Sequence, residues 1–118
     1  MSTVRTILNL ILGTLFVCTG GVKVVGLSRS LKYRDHFGMA PSRWKAIGVL
    51  EASGGLGVLV GQAIRPLEMA SLAGLCALMS GAVLTHVRAR DPIPAVTLAS
   101  GVLALTAVSL VISIVARR

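Results

Sequence analysis

Hydrophobic and polar positions in this chain are segregated into long apolar runs divided by short, strongly polar punctuation. The charge-free runs are Ile7 to Val22, Ala52 to Ile64, Met69 to Thr85 and Pro92 to Ala116, and the second extends back to Ala46 across a single carboxylate, Glu51. Each approaches or exceeds the roughly 20 residues that a helix needs to cross about 30 Å of hydrocarbon. The pattern predicts spans over about 4–25, 46–64, 68–87 and 94–116. It therefore predicts an all-α membrane protein, a compact four-transmembrane-helix bundle forming one domain over 1–118. An even number of crossings puts both termini on one side.

The second run, AIGVLEASGGLGVLVGQAI, organises the rest. Helical spacing sets Gly48, Glu51, Gly55, Val58 and Gln62 on one face and Gly54, Gly57 and Gly61 on the neighbouring one. In water such glycine density would weaken a helix by about 1 kcal/mol per residue. In lipid it lets helix backbones approach closely, and Gly57 to Gly61 reads as GxxxG. A carboxylate inside a span is costly, so Glu51 needs a partner.

Composition supports the membrane reading: 54% of the residues are hydrophobic, only 14% are charged, and the mean hydropathy is +0.85. Soluble domains carry about a quarter charged residues. The net charge of +8 sits at span ends, which suits anionic lipid headgroups better than nucleic acid, and no nucleic-acid partner is expected. Of the twelve Lys and Arg, Lys23, Arg29, Lys32, Arg34, Arg43, Lys45, Arg88 and Arg90 fall on the side of the first and third loops. Arg5, Arg65, Arg117 and Arg118 fall on the other, so the positive-inside rule places both termini outside. The location expected is a bacterial-type inner membrane.

The first span lacks an A-x-A cleavage site, and Leu15-Phe16-Val17-Cys18 makes a poor lipobox, so it counts as a true span. Cys18 and Cys76 form no CxxC and read as small core hydrophobes. No metal cluster or cofactor motif is visible.

Ordinary polar chemistry is concentrated between Gly26 and Lys45, which reads as a long loop. Tyr33, Phe37 and Trp44 suit an interfacial belt, and Pro41-Ser42 a helix start. Asp35-His36 looks like a dyad, but adjacent residues on a helix do not face each other, and a solvated loop accounts for both. Arg65-Pro66 ends the second span. Glu68 begins the third, where a carboxylate favours the helix N-terminus. The fourth span, with Thr97, Ser100, Thr106, Ser109 and Ser113, reads as a packing helix.

Alternating direction brings Lys23, Glu51 and His86 toward the same membrane surface, at depths of about 3, 9 and 3 Å. Span one aligns Asn9, Leu12, Phe16, Thr19 and Lys23 on one face, so Lys23 can reach Glu51. In a structural reading Glu51 is neutralised by Lys23 or by hydroxyls such as Thr19 and Thr85 and fixes helix register. In a functional one Glu51 and His86 are catalytic acid/base groups, and Lys23, Thr19, Gly55 and Thr85 contact a substrate.

The phrases GTLFVCTGGVKVVG, HFGMAPSRWKAIGVLEASGGLGVLVG and RPLEMASLAGLCALMSGAVLTHVRARD resemble the DoxX-like membrane proteins. The resemblance rests on a small-residue-x-x-Lys pattern in the first span, F-x-x-x-P, G-x-L-E-x-x-G-G and G-A-x-x-T-H. Its matching positions are Lys23, Phe37, Pro41, Gly48, Glu51, Gly55, Arg65, His86 and Asp91. It implies a compact four-helix membrane bundle. The family takes its name from a subunit associated with thiosulfate:quinone oxidoreduction, and other relatives are partners in membrane redox complexes or assembly factors. This chain has neither a redox dithiol nor a haem-ligand pair.

Two expectations follow. One is a pocket around Glu51 that binds a lipophilic small molecule and, if it reacts, uses cofactor-free acid/base chemistry such as isomerisation, ring opening or hydration. The other is a non-catalytic subunit or scaffold whose glycine faces dock a membrane partner or a second copy. A proton-coupled transporter would need an oligomer or an inverted repeat, and no repeat is visible.

Overall fold

The computed structural model describes residues 2–115 and is entirely helical: α1 (Ser2–Val25), α2 (Ser28–His36), α3 (Pro41–Gly61), α4 (Arg65–Arg88) and α5 (Ile93–Val115). The last residues of the expected fourth span, Ala116 to Arg118, lie outside the described residues. By length and composition α1, α4 and α5 are apolar enough to cross a membrane. The helix α3 falls short of that mark, because Lys45, Glu51 and the glycines lower its hydropathy over its 21 residues.

The stretch read as a loop contains α2, and this is a correction. Its sequence SRSLKYRDH has no apolar repeat. The helix is fastened instead by Trp44, whose indole N–H donates to the buried Ser30 hydroxyl at 2.8 Å, and by Tyr33 stacking on Phe37. Gly26 and Gly38 end α1 and α2 with φ of 74° and 66°, which glycine adopts without strain. The Leu27 amide donates back to Val22 O at 3.2 Å and satisfies an end carbonyl of α1. Pro41 opens α3, where its missing N–H costs nothing.

The long helices pack antiparallel in the cyclic order α1, α3, α4, α5. Glycine decides how closely α3 lies against its neighbours. A Cβ on Gly20 would sit 2.4 Å from Ala52 N, and one on Gly55 would sit 2.7 Å from Gly13 O. On the adjacent face, a Cβ on Gly54 would meet the Leu75 side chain at 2.7 Å, and one on Gly61 would meet Glu68 N at 2.6 Å. One glycine row of α3 thus seats α1 and the other seats α4 of the same chain. Lipid tails are as apolar as leucine, so this close van der Waals contact is what holds the helices together. Leu12, Phe16, Val58, Leu72 and Leu75 fill the centre.

Candidate functional site

The interior is layered. On α1, Asn9 and Thr19 are ten residues apart, a rise of about 15 Å, and each marks a polar layer on one side of the apolar plug.

The layer toward α2 is built on Glu51, which is buried with 6% of its surface exposed. Its Oε2 accepts from the Thr19 hydroxyl at 2.6 Å and its Oε1 from Lys23 Nζ at 2.5 Å. Lys23 Nζ also lies 5.2 Å from the centre of the Trp44 ring, a cation–π distance. Gly48 and Gly55, one turn before and after Glu51, have no side chain to hold α1 away, so Thr19 and Lys23 can close on the carboxylate. Both carboxylate oxygens are therefore engaged inside the protein.

The remaining sequence-predicted residues lie elsewhere. The Thr85 hydroxyl donates to Gly81 O of its own helix at 2.8 Å. His86 Nδ1 pairs with Asp91 Oδ2 at 2.5 Å, while His36 Nε2 holds the other oxygen of Asp91 at 2.5 Å. Phe37 meets the His86 ring edge-on, with centroids 5.3 Å apart. Asp91 is thereby drawn below the ordinary aspartate range, first by the His36 hydrogen bond and then by the one from His86. This cluster clasps α2 to the α4–α5 turn. The tempting Asp35-His36 pair is divided: Asp35 takes Arg34 at 3.0 Å.

The layer near the helix termini was not foreseen. Glu68 is fully buried, and its Oε2 accepts from Arg5 Nη1 at 2.7 Å and from Asn9 Nδ2 at 2.6 Å. Its Oε1 accepts from the Ser113 hydroxyl. The Ser109 hydroxyl donates to Asn9 Oδ1 at 2.5 Å, extending the network to a second turn of α5. Arg65 meets the end of α5, donating to Ser113 O at 2.9 Å and Ile114 O at 3.1 Å, where a cation also suits the helix dipole. The sequence signal was present but dispersed, as polar residues at helical spacing on α1 and on α5.

Two open grooves mark the surface. One, of about 610 Å³, follows the seam of α3 and α4 between Leu50, Ser53, Gly54, Ala70, Ser71, Gly74, Leu75, Ala77 and Leu78. Glu51 is not among its walls. The other, of about 660 Å³, lies between α2 and the start of α5. Among the described residues no group of three or more His, Cys, Asp or Glu is placed to hold a metal.

Apolar helices of membrane-crossing length joined by paired interior charges define a multi-pass integral membrane protein. The sequence profile of the DoxX-like family matches residues 7–109, and the chain belongs to that family. No curated protein and no solved structure matches it.

Proposed function

We propose that the protein is a four-helix membrane bundle, with α3 as its fourth crossing, that holds a small apolar molecule in the groove between α3 and α4. The observation that carries this reading is the groove itself. Its volume of about 610 Å³ lies within the range of about 300–1,000 Å³ common for ligand sites. Its walls are apolar apart from the Ser53 and Ser71 hydroxyls, which suits a ligand with one or two hydrogen-bonding groups. The seam faces lipid, so a ligand would enter sideways from the bilayer.

In this reading Glu51 holds α3 to α1 and does not react, because Thr19 and Lys23 already occupy both its oxygens. Acid/base catalysis by Glu51 would require one of those bonds to open. His86, committed to Asp91, braces the α2 side of the bundle.

A second reading is favoured by the groove's small residues. Gly54, Ala70, Gly74 and Ala77 would also let a helix of a membrane partner or second copy approach closely, giving a non-catalytic subunit. The test is photolabelling in lipid nanodiscs with a diazirine-bearing isoprenoid, comparing wild type with Gly74→Leu. A Cβ on Gly74 meets nothing within 4 Å, so the leucine side chain starts from open space and projects into the groove. Binding in the groove predicts labelling on Ala70 to Leu78 that Gly74→Leu removes. Unchanged labelling would refute it, and a protein–protein crosslink lost in Gly74→Leu would favour the subunit reading.

A further inference from the structure

The groove between α2 and α5 is chemically unlike the one on the α3–α4 seam. Arg29, Lys32, Tyr33 and His36 stand at positions i, i+3, i+4 and i+7 of α2, so one face of that helix lines it. Arg29 and Lys32 have no carboxylate partner among the described residues. The acid in the groove, Asp91, has only 7% of its side chain exposed and both oxygens held by histidines. What the groove offers to a ligand is therefore cationic, with a phenol beside it.

The far wall is the first turn of α5, at Pro92 and Ala95. One turn onward Leu98 is 72% exposed, and Ile93 beside the groove is 80% exposed. A basic groove thus opens at the head of an apolar helix face that nothing among the described residues covers.

We propose that this groove binds the phosphate of an anionic phospholipid, with Arg29 and Lys32 on the phosphate, Tyr33 hydrogen-bonding the headgroup and the acyl chains lying along α5 past Leu98. A free phosphate would satisfy the two cations and leave the apolar face bare. The amphiphile satisfies both. The proposal is independent of the α3–α4 groove, since the two share no residue.

The test is native mass spectrometry of the purified full chain in detergent, titrated with dioleoyl phosphatidylglycerol or dioleoyl phosphatidylcholine. Wild type should retain phosphatidylglycerol about 25-fold more tightly. Arg29→Gln/Lys32→Gln should lose that preference, each basic residue contributing about fivefold. Arg43→Gln/Arg88→Gln, which removes two exposed charges outside the groove, should keep it. If the double variant does not fold, Lys32→Gln alone should show about half the loss on a logarithmic scale. Equal retention of the two lipids, an equal loss in both double variants, or full displacement by millimolar inorganic phosphate would each overturn the proposal.

Discussion

The two buried carboxylates of this protein solve the same problem in different ways. Glu68 is sealed: it accepts from Arg5, Asn9 and Ser113, which come from α1 and α5, and no part of it meets the surface. Glu51 is held by α1 alone, through Thr19 and Lys23, and the Lys23 side chain keeps 17% of its surface exposed. The Arg5 side chain keeps 11% of its surface exposed, but a carboxylate with no surface of its own and partners on two neighbouring helices ties several helices and leaves stranded donors when removed. An ion pair with a long aliphatic stem near the interface can re-solvate its cation. The comparison assigns Glu68 to the integrity of the bundle and Glu51 to the α1–α3 seam.

The largest expected effect follows from this contrast. Glu68→Ala leaves Arg5 and Asn9 buried without their acceptor, and breaking a buried pair in this way costs about 3–5 kcal/mol. Thermal unfolding in detergent should show a large loss, and a change below about 1 kcal/mol would mean that water reaches the cluster. Next comes the seam itself. Gly20→Ala would press a methyl against the Ala52 and Gly48 backbone and should cost about 1–3 kcal/mol by overpacking. Gly74→Ala, facing open space, should be close to neutral by the same measurement. Glu51→Gln keeps an acceptor for Thr19 and lets Lys23 reach the headgroups, so it should cost only about 1–2 kcal/mol. A loss as large as that of Glu68→Ala would erase the distinction between the two carboxylates.

The smallest effect concerns pH. The Asp91 carboxyl titrates below its unfolded value of 3.8, so the clasp stabilises the fold above that pH. The stabilisation is lost as pH falls through the lower folded value. Asp91→Asn should lower stability modestly above about pH 4, where the ionised carboxylate is held, and flatten the acid limb, so that the two proteins converge at the lowest pH. An identical acid limb in the two proteins would remove Asp91 from the account.

Contacts set by helical periodicity were legible in the sequence. The spacing of Gly48, Glu51 and Gly55 gave the face of α3 that meets α1, and Gly54, Gly57 and Gly61 gave the face that meets α4. The depth of Lys23 was enough to bring it to Glu51. Contacts set by three helices converging were not legible. Glu68 read as a helix-start residue because Arg5 and Ser113 are distant in sequence. His86 leaned toward Glu51 on paper, yet the turn carrying Asp91 lies nearer along the chain and captured it. The helix α2 was hidden because its fold depends on Trp44 and Phe37 and not on any apolar repeat of its own.

The proposed ligand site lies along the α3–α4 seam, with Glu51 as a brace. The most direct measurement is photolabelling of Gly74→Leu and Glu51→Gln in matched nanodiscs with the same diazirine isoprenoid. A ligand seated on the seam predicts that Gly74→Leu abolishes labelling there while Glu51→Gln retains most of it. Labelling that survives Gly74→Leu and disappears in Glu51→Gln would contradict it and return the site to the carboxylate.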